Sequence, residues 1–347
     1  MEDDRESGAL TPPRGSGPGR SGVRPGAWAD AQAGLGPDAR PDIRVANAPC
    51  SWGLIGQGDP GTGYARMLDE LVETGYVGTE LGDYGYMPTD PAALHDELAG
   101  RGLTLLGAFA GVTLRERGVA ASARVRLVRL AALLAEAERG PRRPYLVLAD
   151  ADGLYPVRAA NAGRVTPELG LSRSEWKVFA ANAEEVARIV AGETGLGTVF
   201  HPHCAGFVET PDEVERLLDL TDPDLMGLVF DTGHHVYGSA KPDEDGQSAV
   251  VGLERFWDRV RYVHFKDVDG AVAERARRAG WDLRQAVRAG VFAELGKGTV
   301  DFAAVLDVLR RRGYSDWLTV EQDVLPGMGT PKESAGRNRE FLRGLGL

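Results

Sequence analysis

From Asp42 to its C-terminus the chain alternates short β-branched or aromatic runs with longer amphipathic stretches, and it does so eight times. The strand-like runs are IRVANAP, YVGTEL, LTLLGAFA, PYLVLAD, LGTVFHPH, LMGLVFD, VRYVHFK and WLTVEQ. Between them, stretches such as YARMLDELVETG, ARVRLVRLAALLAEAERG and TPDEVERLLDLT repeat apolar residues at i, i+3, i+4 and i+7, the spacing of a helix with one buried face. Strict alternation makes the strands parallel, because each helix must carry the chain back before the next strand starts. Eight such units predict an α/β fold, a (β/α)8 or TIM barrel formed as a single domain over residues 42–347. With 347 residues, 43% of them hydrophobic, the chain can bury one large core of that kind.

Local signals mark the helix ends. ETG before YVG, AGRG before LTL, AGETG before LGT and RRRG before YSD each put Gly where a helix stops and turns into a strand. Ser172 and Thr210 suit helix N-caps, with Glu175 and Glu213 three residues on to complete capping boxes. Two connections are too long for simple turns: DGLYPVRAANAGRVTPELGLSR after the fourth strand, and AVAERARRAGWDLRQAVRAGVF with ELGKGTVDF after the seventh. Both leave a strand's carboxyl end, so both are expected over the barrel mouth as lids. The first 41 residues are rich in Gly, Pro, Arg and Asp without aliphatic periodicity and are expected to form a disordered extension.

Charge and cysteine usage exclude whole classes. The formal net charge is -11, from 51 acidic against 40 basic residues, which argues against nucleic acid and against an anionic membrane as partners. No apolar run approaches the ~20 residues of a membrane span. Two cysteines, Cys50 and Cys204, do not make a disulfide framework, so the cytoplasm is the expected setting. A homo-oligomer is compatible with such a barrel.

The chemistry lies in the histidines. Five of six fall in three runs, HPH (His201 to His203), DTGHH (Asp231 to His235) and VHFKD (Val263 to Asp267), each at the end of a strand-like segment; the sixth, His95, lies in a helix-like stretch and is expected at the surface. One histidine on an apolar segment is usually a satisfied core residue, but four successive strand ends with ligand chemistry, the last carrying Glu321, are harder to explain that way. Residues i and i+2 of a strand share a face, so His201 and His203 are expected to point together. Strands ~4.8 Å apart then let His201 or His203, Asp231, His264 and Glu321 converge on one ion. The mixed N/O set suits Mn²⁺, Co²⁺, Fe²⁺, Mg²⁺ or Zn²⁺, with Mn²⁺ or Co²⁺ preferred, and Cys204 does not make it a thiolate site. His234, three residues past Asp231 at a turn made tight by Gly233, is expected to face substrate, and His235 to cap or pack.

These motifs, with NAPCSWG, GTELGDYGYMPTD, TLLGAF, LVFDTGHHVYG, VHFKDVD, RAGVFAELGKGTVDF and VEQD, make the chain from about Asp42 onward resemble the xylose-isomerase-like barrels of sugar isomerases and epimerases, and among them the myo-inosose dehydratases. In similar barrels a Glu, Asp, His, Glu set holds the ion; the last three carry over to Asp231, His264 and Glu321, while HPH stands where many relatives have a carboxylate. The resemblance implies a small polyol or ketose as the partner and metal-dependent loss of water from 2-keto-myo-inositol, giving a trihydroxycyclohexane-dione. Such a lyase needs an electrophile, a base and an acid. Lys266 is expected to have a lowered pKa and take the α-proton, unless it is tied in an ion pair with Asp267 or Glu80. His234, or whichever of His201 and His203 is not a ligand, would protonate the departing hydroxyl. Asn47, Trp52, Glu80 and Lys297 are expected substrate contacts, Trp52 as an apolar wall. A metal-dependent sugar isomerase or epimerase is the competing reading; an endonuclease of this fold would need a basic groove that an acidic chain lacks.

Overall fold

The structure is a computed structural model and describes residues 42–53, 62–151, 155–241 and 246–347. The extension expected over residues 1–41 lies outside the described residues. Each of the eight strand-like runs forms a strand: β1 (Arg44–Asn47), β2 (Gly78–Thr79), β3 (Thr104–Leu105 and Gly107–Val112), β4 (Tyr145–Asp150), β5 (Thr198–Phe200), β6 (Met226–Asp231), β7 (Val260–Phe265) and β8 (Trp317–Val320). All pair in parallel in chain order, and β8 pairs back onto β1. The ring closes through the break in β3. There the Leu106 N–H donates to Thr79 O on β2 at 2.9 Å, and its carbonyl accepts from Tyr145 N on β4 at 2.9 Å.

The outer layer is α1 (Tyr64–Thr74), α2 (Pro91–Ala99), α3 (Ala121–Ala137), α4 (Arg173–Thr194), α5 (Pro211–Leu220), α6 (Ser248–Phe256), α7 (Phe302–Arg311) and α8 (Pro331–Gly344), one after each strand. Ser172 with Glu175 and Thr210 with Glu213 form the two reciprocal capping boxes that start α4 and α5. Gly75, Gly102, Gly195 and Gly313 all take positive φ, the left-handed turn out of a helix that a side chain would strain. His95 is not fully exposed: on α2 it is half-buried, with Nδ1 2.8 Å from Ala137 O at the end of α3.

Two apolar layers follow from the period of two along each strand. Ala46, Leu106, Val147, Val199, Val229, Tyr262 and Trp317 point inward and fill the barrel. The alternate residues join the helices in the larger sheet–helix core, among them Val45, Leu148, Phe200, Phe230 and Leu318. Gly78 supplies no inward side chain because none fits: a Cβ there would lie 2.7 Å from the Trp317 ring, itself fully buried. Stepping two residues toward the carboxyl end from Gly78, Val199, Val229 and Tyr262 gives Glu80, His201, Asp231 and His264, so the floor of the mouth is set by the same alternation that packs the core.

The long connections close over that mouth. After β7, Asp267–Val268 pairs antiparallel with Phe292–Ala293, and helices at Gly270–Ala279 and Leu283–Arg288 fill the insertion between them. In the β4–α4 connection Arg164 Nη1 donates to Trp281 O at 2.6 Å, and from the other insertion Arg277 Nε donates to Gly163 O at 2.9 Å, tying the two together. No helix among the described residues is long and apolar enough to cross a membrane.

Candidate metal centre and active site

His201, Asp231 and His264 are almost wholly buried at the mouth, with Glu321 beside them. His201 Nε2 lies 3.5 Å from Asp231 Oδ2. His264 Nδ1 lies 3.0 Å from Glu321 Oε1 and 3.9 Å from the same Asp231 oxygen. Yet His201 Nε2, Asp231 Oδ2 and His264 Nδ1 make no hydrogen bond, and neither does His201 Nδ1. Buried polar atoms left without partners each cost about 1–3 kcal/mol, so several facing one another is an arrangement a protein keeps only for a reason. Nitrogen and carboxylate atoms that approach within 4 Å without bonding each other fit a shared divalent cation: one lone pair from each, borderline and hard donors mixed, no thiolate.

Glu80 completes the surroundings from β2. Its Oε1 lies 2.9 Å from His264 Nε2 and accepts from Tyr262 OH at 3.0 Å, so it is engaged with the barrel wall rather than held out for substrate. Burial opposes charge on His264, but Glu321 and Glu80 on its two edges outweigh it and lift its pKa to about 10, so a cation at Nδ1 would displace a proton there. For Asp231 burial likewise opposes charge, and the neighbouring His201 and Lys266 hold it below the ordinary carboxylate range.

Lys266 departs from expectation. Its Nζ lies 2.9 Å from Glu321 Oε2 and 4.7 Å from the Phe292 ring centroid. Burial alone would favour the neutral amine; Glu321, Asp323 and Asp231 overcome it and push the pKa well above the usual lysine value. The ion-pair partner is Glu321, one strand over, and not Asp267 or Glu80. Asp267 instead accepts the backbone N–H groups of Val268, Gly296, Gly298 and Val300 and shapes the returning loop.

Although the strand ends at Phe200, His203 joins His201 at the mouth, the two ring centroids 5.8 Å apart. His203 stacks on His234 with ring centroids 4.0 Å apart. One peptide unit apart, the groups of Cys204 orient both rings: its N–H donates to His234 Nδ1 at 3.3 Å, and its carbonyl accepts from His203 Nδ1 at 2.9 Å. In neutral imidazoles this puts the proton of His234 on Nε2 and the lone pair of His203 on Nε2. His234 is kept neutral, its pKa depressed far below the usual value by burial and then by His203, Lys266 and His201. Asp231 Oδ1 accepts from His234 N at 2.7 Å, so the carboxylate also caps the short helix Thr232–Gly238 that carries it.

Three expected substrate contacts are engaged by other protein groups. Asn47 faces outward, its Oδ1 accepting from Ser51 Oγ at 2.6 Å. Trp52 is buried in the sheet–helix core and donates Nε1 to Glu70 on α1 at 2.8 Å. Lys297 pairs with Glu294, which Arg337 and Ser334 of α8 also hold. Sequence order misled here because a residue at the end of a strand is placed by the outward or inward phase of that strand, and Asn47, the last residue of β1, is one step off inward-facing Ala46. An apolar face at the mouth comes from Phe109 on β3, which the TLLGAF run carried without distinction. It faces the mouth 41% exposed, edge-on to His201 and His203 at 6.5 and 6.4 Å. Its phase relative to Ala108 and Ala110 was the available signal.

A closed eight-stranded β/α barrel whose carboxyl ends gather imidazoles and carboxylates around a cation-sized point defines a class of barrel enzyme. The chain belongs to the xylose isomerase-like TIM barrel family, whose sequence model matches residues 68–345. It is 32% identical over 303 residues to the inosose dehydratase of Geobacillus kaustophilus, covering 86% of this chain and 94% of that protein. To the inosose dehydratase of Bacillus velezensis it is 31% identical over 309 residues, covering 87% and 96%. Among solved structures it resembles the IOLI protein with a bound zinc atom, at 15% identity and a TM-score of 0.57 over 87% of this chain and 98% of that one, a likeness of fold.

Proposed function

We propose that this chain is a metal-dependent hydro-lyase of inositol catabolism, converting 2-keto-myo-inositol to a trihydroxycyclohexane-dione with loss of water, in the cytoplasm. The relatives named inosose dehydratase support the reaction. The observation that carries it at the site is the convergence of unpartnered His201, Asp231 and His264 atoms beside Glu321, next to a buried ammonium.

His201, Asp231, His264 and Glu321 would hold the cation, Mn²⁺ or Co²⁺ by preference for mixed N/O donors; such an ion supplies Lewis acidity to the ketone oxygen. The residues do the rest. The lone pair on His203 Nε2 takes the proton α to the ketone, since its tautomer is fixed by Cys204. His234 donates a hydrogen bond from Nε2 to the oxygen on which negative charge develops, a role suited to an imidazole kept neutral. Lys266 enters as an ammonium and so gives a proton rather than taking one: as the β-carbon–oxygen bond breaks, its proton joins the departing hydroxyl and leaves as water. His203 has then gained the proton Lys266 lost, and exchange with solvent restores both. Phe109 presents an apolar face to the ring's C–H side and helps exclude water.

Incubation of metal-loaded protein with 2-keto-myo-inositol, and in parallel with ketohexoses, followed by NMR and product mass, tests this. Loss of one water from the inosose is the expected result. A product of unchanged mass, from either substrate class, would replace the lyase with an isomerase or epimerase.

A further inference from the structure

Glu80 follows β2, two strands from β8 with β1 between them, and it meets the cluster through its hydrogen-bonding distance to His264. Its side chain is buried, and its Oε1 holds two groups at once, Nε2 of His264 at 2.9 Å and the Tyr262 hydroxyl at 3.0 Å. Tyr262 is fixed in turn by a short contact of 2.5 Å with Thr319 Oγ1. Both Tyr262 and Thr319 are fully buried. The carboxylate is therefore clamped in place, with one edge of the imidazole against it and the opposite edge, Nδ1, turned toward Asp231 and Glu321.

We infer that Glu80 is a positioning residue that makes His264 a ligand through Nδ1, an inference that rests on the cluster holding a divalent cation. A carboxylate can only accept, so the ring nitrogen it touches must carry the proton, and in a neutral imidazole the other nitrogen then carries the lone pair. The opposite tautomer would put a lone pair against a carboxylate and a proton toward Asp231 and Glu321, and Glu80 makes that tautomer costly. A ligating histidine held by an outer carboxylate gains both orientation and basicity, and loss of the outer group costs about 10–100-fold in metal affinity. Part of the control over the ion is thus delegated to a strand that supplies none of the four proposed donors.

The test uses the full chain stripped of metal and titrated with Mn²⁺ or Co²⁺, in wild type, Glu80→Gln and Glu80→Ala. Mn²⁺ affinity is read from the electron paramagnetic resonance of the free ion, and inner coordination from the visible absorption of bound Co²⁺. Glu80→Ala should weaken Mn²⁺ binding by about 10–100-fold. Glu80→Gln, which still offers an oxygen to Nε2–H but no charge, should lose about tenfold or less, with the wild-type Co²⁺ spectrum and the metal-free melting temperature preserved. Wild-type Mn²⁺ affinity in Glu80→Ala would overturn the inference. If that variant does not fold, Glu80→Gln decides: a loss beyond about 10³ with an altered Co²⁺ spectrum would make Glu80 a ligand itself and overturn positioning. A wild type that binds neither ion would remove the cation reading, and this inference with it. Retained Mn²⁺ binding in wild type, with loss in the variants outside these ranges, fails the inference alone.

Discussion

His234 and His235 are adjacent in sequence and face opposite sides of the same barrel wall. On the inner side His234 stacks on His203, keeps Nε2 unpartnered and lies among Asp231, Lys266 and His201. On the outer side His235 packs between Phe230 and Phe256, where a Cβ on Gly252 of α6 would lie 2.2 Å from its Nε2. The contrast extends along the strand ends. Outward-facing Asp150 accepts from Leu114 N and Phe207 N, and Glu209 from Ala205 N and Gly163 N, so each buried carboxylate there is hydrogen-bonded from two sides. Inward-facing Asp231 leaves one oxygen unpaired. Residue type does not separate the two faces. What separates them is whether the buried groups satisfy one another or wait for something else.

That contrast can be broken first at Asp231. Asp231→Ala should abolish retention of Mn²⁺ and lower turnover by about 10³ or more, since several kcal/mol of charge stabilisation go with the ion, while the melting temperature changes little. Activity that survives exhaustive chelation would erase the distinction between the faces. Next comes Lys266→Met, which keeps the stem and removes the ammonium: metal should stay bound and turnover fall about 10²–10⁴-fold, and a variant with near-normal kcat would take Lys266 out of the chemistry. Phe109→Ala, also on the inner face, should raise KM about fivefold at nearly constant kcat, read from initial rates, because stacking on a ring face is worth about 1 kcal/mol.

The outer face should answer in stability instead. Trp52→Phe removes the hydrogen bond to Glu70, which stays paired with Arg66 at 2.8 Å, and should cost about 2 kcal/mol, a fall of a few degrees in melting temperature, with KM and kcat unchanged. At neutral pH the smallest effect concerns His235, whose pKa burial pushes down to about 4. The unfolded chain binds that proton at higher pH, near 6.5, so the stability His235 contributes is complete above about pH 6.5 and is lost as pH falls toward 4. His235→Phe should flatten that part of the stability curve, measured by thermal unfolding across the window; an unchanged acid limb would mean that the ring titrates normally.

Much of this was legible in the chain. Eight apolar runs became eight strands, and the capping boxes at Ser172 and Thr210 and the turn glycines formed where local chemistry required. Asp231, His264 and Glu321 were legible as a set because each closes its strand on the inward phase. Asn47 and Trp52 were not: Asn47 sits on the outward phase of β1, and past the strand end the turn Pro49–Trp52 sets the direction afresh and carries Trp52 into the sheet–helix core. Lys266 failed differently. Its pKa depends on which carboxylate lies beside it, and Glu321 is 55 residues away in sequence but 2.9 Å away in space.

By itself the sequence determined whatever rests on neighbours within about a dozen residues: periodicity, caps, turns, and hence a barrel whose strand ends carry imidazoles and carboxylates. The tertiary structure alone decided which of those groups meet. Closure of the ring brings Glu80 of β2 against His264 of β7, turns Lys266 into a held ammonium, and lets the peptide of Cys204 set two histidines in opposite tautomers. Electrostatic and hydrogen-bond energies depend on distance through space, and for residues brought together from different strands the order of the chain does not contain that distance.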